Sequence, residues 1–124
     1  NETIRPDFFV ERVNGTCDIV EFKLPRITKN IIVGKNNRRK FSSWFETHLA
    51  QAKAYQRHFS NPANREAAYL KHGITVETPT VTLIIGRRIN VNTLEVRKLM
   101  SGYPGIKIIS YDELVDGAVA QLYF

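Results

Sequence analysis

One α/β sandwich is the fold class the sequence predicts, on three observations. The chain of 124 residues supports a single core, and its 43% hydrophobic residues suffice to fill one. An Asn14-Gly15 step stands between two runs rich in Val, Ile, Phe and Thr, the strongest short-range hairpin signal. Downstream the pattern alternates, giving the order strand, strand, helix, helix, strand, helix, strand, helix, which favours one layered domain over 1–124 rather than two.

The first two strands are expected over Thr3 to Val13 and Thr16 to Leu24. Two registers are open to them. A two-residue turn pairs Val13 with Thr16 and Asp7 with Phe22, which leaves Asp7 and Glu21 on opposite faces. A three-residue loop, with Gly15 left-handed in a bulge, pairs Arg12 with Thr16, Asp7 with Glu21 and Arg5 with Lys23. Only the second register makes a site. It sets two carboxylates roughly 5 Å apart at Cβ, with Lys23 two residues along on the same face.

Facing carboxylates repel, and a divalent cation removes that penalty. Mg²⁺ or Mn²⁺ is the expected ion, held by Asp7, Glu21 and the Phe22 carbonyl, with water and a phosphodiester oxygen in the remaining positions. The metal would polarise phosphate and acidify a bound water, and Lys23 would orient that water or offset developing charge. The alternative reading of the same residues is a solvated strand face on which Glu and Lys alternate.

The segment Pro25 to Lys40, with Gly34 and Asn36-Asn37, reads as a loop or short hairpin. Between Glu21 and Glu46 there is no acidic residue but seven basic ones, within a net charge of +6. Such clustering suits a phosphate backbone, and Lys29, Lys35, Arg38, Arg39 and Lys40 are the expected nucleic-acid-binding residues. A solubilising surface, or a contact for a further domain, is the alternative.

Ser42 or Ser43 can cap a helix running to about Phe59, with Trp44, Leu49, Ala52, Tyr55 and Phe59 recurring at helical spacing toward the sheet. Gln51 and Tyr55, four apart, share a face. His48 lies within reach of a phosphate near Gln51, or is a surface histidine, and His58 and His72 show no ligand spacing. A second helix is expected over Pro62 to His72, opened by Asn61 or Pro62 and closed by Gly73. Strands over Thr80 to Ile85 and Ile106 to Ser110, and helices over Asn92 to Met100 and Asp112 to Leu122, complete the order. Asp112-Glu113 reads as a helix start rather than a second metal pair, and Gly102 to Gly105 lacks the ending of a phosphate loop.

Pro6-Asp7, thirteen intervening residues and Glu21-Phe22-Lys23 resemble the PD-(D/E)xK nuclease superfamily. That resemblance implies a restriction-endonuclease-like core, a mixed central sheet flanked by helices, with metal ligands at Asp7 and Glu21 and the catalytic lysine at Lys23. Gln51 with Tyr55 looks like the Gln-x-x-x-Tyr element of the RecB-like branch, which implies that Gln51 helps position phosphate, water or metal ligands. Over nearly the whole chain, Arg5 to Phe9, Gly15, Asp18 to Pro25, Ile84 to Arg87 and Ile109 to Leu114 resemble the nuclease domain of the Shedu anti-phage family. A bacterial, DNA-cleaving, oligomerising defence protein is what this resemblance implies. Many superfamily members also carry an acid on a preceding helix, and Glu2 is too close to Asp7 to serve. Either that acid lies upstream or the site lacks it, and Asn1 without an initiator Met reads as the start of a fragment.

Cys17, the one cysteine, reads as a small buried strand residue and rules out an internal disulfide. No apolar stretch of membrane length and no signal segment is visible, so a cytoplasmic domain is expected. The expected function is a Mg²⁺-dependent endonuclease or nickase acting on duplex DNA without a strict palindrome. The alternative is a catalytically silent nucleic-acid-binding or oligomer-assembly module that retains the fold.

Overall fold

Pro6 sets where the sheet begins. It cannot donate to a ladder, so β1 is Phe8–Glu11 and not the longer strand expected from Thr3. The computed structural model describes residues 4–122, with side chains through 117; Glu2 and the expected strand start at Thr3 lie outside them. The hairpin partner, β2 (Cys17–Phe22), runs antiparallel to β1. A second, two-stranded antiparallel hairpin of β3 (Ile32–Val33) and β4 (Lys40–Phe41) follows, with a 3₁₀ turn at Asn36–Arg38 between its strands. Of the loop or short hairpin expected for the basic segment, the structure has the hairpin.

Two helices then lead to β5 (Val81–Ile84), and two more to β6 (Ile106–Ile109). The main sheet has the order β1-β2-β5-β6, with β2, β5 and β6 parallel and β1 antiparallel. It is therefore a mixed sheet flanked by helices, as expected. Helix α1 (Ser43–Ser60) buries Phe45, Leu49, Ala52, Tyr55 and Phe59, all at helical spacing on the stripe that meets the sheet. Phe9 of β1 packs edge-on against Phe59 at 6.0 Å. Ser42 occupies the N-cap position without a side-chain cap bond, and its Oγ is buried with no partner.

The second helix, α2 (Pro62–His72), has the predicted bounds. Asn61 accepts the Ala63 N–H, Pro62 opens the helix and Gly73 ends it left-handed at φ 71°, the arrangement expected of these residue types. One expected helix is two: α3 (Arg88–Val91) and α4 (Leu94–Met100) are separated at Asn92 and Thr93. Thr93 caps α4 through the Val96 N–H, so a cap residue inside the pattern breaks the run. Helix α5 (Tyr111–Leu122) starts with Asp112 and Glu113 in its first turn, where the dipole favours acids. Cys17 is buried in the core cluster, as expected. Among the described residues no helix is long and apolar enough to cross a membrane.

Candidate active site on the first hairpin

Gly15 settles the register. At φ 89° it holds the left-handed position of a bulged three-residue loop, with its N–H on the Arg12 carbonyl at 2.9 Å and the Arg12 N–H on the Thr16 carbonyl at 2.8 Å. Asn14 Oδ1 accepts both the N–H and the hydroxyl of Thr16, at 3.0 and 2.7 Å. The ladder then pairs Glu11 with Cys17 through Phe8 with Val20. Continued one step, it sets Asp7 opposite Glu21, so the site-forming register is the one adopted.

Antiparallel pairs alternate between hydrogen-bonded and non-hydrogen-bonded positions. Counting from Arg12 and Thr16 makes Asp7 and Glu21 a non-hydrogen-bonded pair, the kind whose side chains stand closer. The next pair is Pro6 with Phe22. Pro6 has no N–H, so the ladder offers the Phe22 carbonyl no donor. The Phe22 N–H turns to Asp7 Oδ2 at 2.8 Å.

Glu21 is the buried acid of the sheet, 4% exposed. Its Oε1 accepts the Tyr55 hydroxyl at 2.7 Å and the Asp7 N–H at 3.1 Å, while Oε2 lies 3.8 Å from Lys23 Nζ. Burial pushes its pKa up; the Tyr55 hydrogen bond pulls it back, Asp7 raises it further, and Lys23 lowers it. The Tyr55 hydroxyl, buried and donating to this carboxylate, is itself held above its ordinary value. Lys23 Nζ bonds Gln51 Oε1, and the Lys23 carbonyl accepts the Tyr111 hydroxyl at 2.5 Å. Helix α1 thus delivers Gln51 to the lysine and Tyr55 to the glutamate, and α5 brings Tyr111 from the other side of the strand end.

Asp7, Glu21, Lys23 and Gln51 therefore converge, and Phe22 sits beside them with a carbonyl to which Pro6 offers no ladder donor. Two carboxylates and a carbonyl form an all-oxygen set suited to a hard cation that keeps several waters. Among the described residues no three His, Cys, Asp or Glu side chains gather to hold a metal, so any ion here would rest on this two-acid set. Sequence reasoning gave Tyr55 no contact with Glu21 and missed Tyr111. The i, i+4 step from Gln51 was the signal for the first, since residues at that spacing share a helix face. No local signal pointed to the second, because Tyr111 and Lys23 are far apart in sequence.

Of the basic residues, Lys29, Lys35, Arg38 and Lys40 are exposed. Arg39 is engaged: its Nε and Nη2 pair with both Glu95 oxygens at 2.8 and 2.9 Å, and Nη1 reaches the Gly34 carbonyl at 2.9 Å. It ties the basic hairpin to α4. His48 is half-buried, and burial, followed by the nearby Lys23 charge, lowers its pKa.

A family model described as Shedu protein SduA, C-terminal, matches residues 2–115. The chain belongs to this family. No curated protein matches the chain. In this SduA family member the matched stretch holds all the converging residues, from Asp7 through Glu21, Lys23, Gln51 and Tyr55 to Tyr111.

Proposed function

We propose that the chain is a metal-dependent DNA endonuclease with a PD-(D/E)xK core, acting in cytoplasmic Shedu anti-phage defence. The observation that carries the reading is the opposition of Asp7 to Glu21 in the register fixed by Gly15, with Lys23 braced by Gln51 beside them. Asp7, Glu21 and the Phe22 carbonyl would hold the ion. Mg²⁺ or Mn²⁺ bound there supplies polarisation of a phosphate oxygen and a water acidic enough to attack.

The chain's own residues do the rest. Tyr55 orients Glu21 and favours its charged form, the form a cation needs. Lys23 offsets negative charge developing on the phosphate. Gln51 fixes the ammonium through its Oε1, leaving its amide N–H groups to position water. Lys29, Lys35, Arg38 and Lys40 draw in the backbone of duplex DNA without reading bases.

Incubated with plasmid and Mg²⁺, the protein should nick or cut, and Lys23→Ala should fold yet lose at least about 100-fold in rate. Cleavage by Lys23→Ala at the wild-type rate would sink the mechanism. One observation favours a catalytically silent binding module instead: Glu21 and Asp7 already accept N–H and O–H donors, so the arrangement is satisfied without an ion. DNA binding indifferent to chelator and to Asp7→Ala, without cleavage, would select that reading.

A further inference from the structure

Trp44, His48, Gln51 and Tyr55 follow one another at steps of four, three and four along α1 (Ser43–Ser60), so they line one face of the helix. Tyr55 and Gln51 reach Glu21 and Lys23. The other two carry the line outward over a cavity of about 320 Å³ walled by Leu24, Ile27, Lys29, Trp44 and His48. That volume falls within the range of small-ligand sites, roughly 300–1,000 Å³. Trp44 lies seven residues from Gln51, about 10 Å along the axis at 1.5 Å per residue.

The cavity has the chemistry of a flat, apolar ring attached to an anion. The Trp44 indole is fixed in advance: its Nε1–H donates to the Asn30 carbonyl at 2.9 Å, and Phe45 and His48 meet it edge-on at 5.6 and 6.1 Å. Such preorganisation lowers the entropy lost on binding. Across the cavity Leu24 is 56% exposed, apolar area left in contact with water. Burial, then the Lys23 charge, shifts the His48 pKa down and favours the neutral ring, whose two nitrogens are one donor and one acceptor. Lys29 stands in the wall, Lys23 precedes the lining residue Leu24, and no acid lies between Glu21 and Glu46.

We propose that this cavity is a nucleobase subsite, taking the base next to the phosphate at Asp7 and Glu21, unpaired and packed on the Trp44 indole, with Lys29 on the neighbouring phosphate. The proposal rests on the nuclease reading and sharpens its substrate. The DNA strand is cut where it is single-stranded or locally opened, because a base inside a duplex stack cannot enter a side pocket.

Trp44 is the single tryptophan, so its emission reports on the cavity directly. The full chain with Lys23→Ala would be titrated, without divalent ions, against a 12-nucleotide single strand and a duplex hairpin of equal strand length. The single strand should quench Trp44 emission and bind more tightly than the hairpin. Trp44→Leu should weaken single-strand binding about 10-fold, as loss of one base stack does, and Trp44→Phe should restore most of it. Single-strand binding with unchanged emission, or Trp44→Leu binding as wild type, overturns the subsite while cleavage abolished by Asp7→Ala leaves the nuclease standing. Quenching alongside cleavage indifferent to Asp7→Ala does the reverse.

Discussion

Tyr55→Phe isolates one contact of the candidate site. The substitution removes a hydroxyl that donates at 2.7 Å to a carboxylate, with the tyrosine 3% and the glutamate 4% exposed. A hydrogen bond to a buried charged group contributes about 1.5–3 kcal/mol, and Glu21 Oε1 would keep only the Asp7 N–H, so a loss of about 2 kcal/mol is expected. For 124 residues, at about 2.1 cal/mol/K each, the unfolding entropy is about 0.26 kcal/mol/K, and the Tm should fall by about 8 °C.

The pH dependence of Tyr55→Phe has a definite sign. Tyr55 stabilises the charged form of Glu21, whose folded pKa lies above its ordinary 4.5; removing the hydroxyl raises that folded value further. The destabilisation is therefore fully present above the variant's folded pKa and shrinks as pH falls through it and then through the wild type's. Near pH 4 only a neutral hydrogen bond remains, about 1 kcal/mol. Circular-dichroism melts at pH 7 and pH 4 measure both quantities. A Tm within about 2 °C of wild type at pH 7, or a deficit that grows on acidification, would refute the reasoning.

Three further outcomes are expected. Glu21→Gln should raise the Tm at pH 7 while abolishing metal-dependent cleavage; the gain, present above the raised folded pKa, should fade as pH falls toward 4.5, and melts beside a plasmid assay check it. Gly34→Ala places a Cβ 2.2 Å from the Arg38 carbonyl oxygen at φ +103, so about 1–3 kcal/mol of strain should open the basic hairpin, read as lost exchange protection at the Ser42 N–H that now bonds the Ile31 carbonyl. Lys35→Ala, Arg38→Ala and Lys40→Ala should each reduce the slope of log K against log salt for duplex DNA by about 0.9. Arg39→Ala, whose charge is already paired with Glu95, should change that slope less.

Local rules fixed much of this architecture, and tertiary ones the rest. The bounds of α2 were legible because asparagine, proline and glycine act on their own backbone, and the Asn14-Gly15 step marked a hairpin while leaving two registers open. The late start of β1 at Phe8 and the break at Thr93 follow from equally local chemistry, in Pro6 and in a threonine cap, that hydrophobic patterning overrode. Convergence of Asp7, Glu21 and Lys23 was legible from strand parity once the loop was chosen. The Tyr111 contact to the Lys23 carbonyl was not, since it depends on how α5 meets the end of β2. Nor was the pairing of Arg39 with Glu95: the basic run looked uniform, and only the docking of the hairpin on α4 sets one arginine apart.

The Gly15 bulge lies far from the chemistry it determines. The closing pair Arg12 and Thr16 sits about 17 Å from Asp7 at roughly 3.4 Å per residue, yet side chains swap faces with every one-residue slip. If the bulged three-residue loop is kept, adding or deleting a single residue in the hairpin would slip the pairing by one and turn Asp7 away from Glu21 without touching any residue of the site, whereas a change of two would preserve the facing. The hairpin therefore behaves as an odd-even counter. For one turn type, loop lengths compatible with this site form a series with gaps of two, and a change of one residue between Pro6-Asp7 and Glu21-Phe22-Lys23 requires a different turn or a second bulge to restore the count.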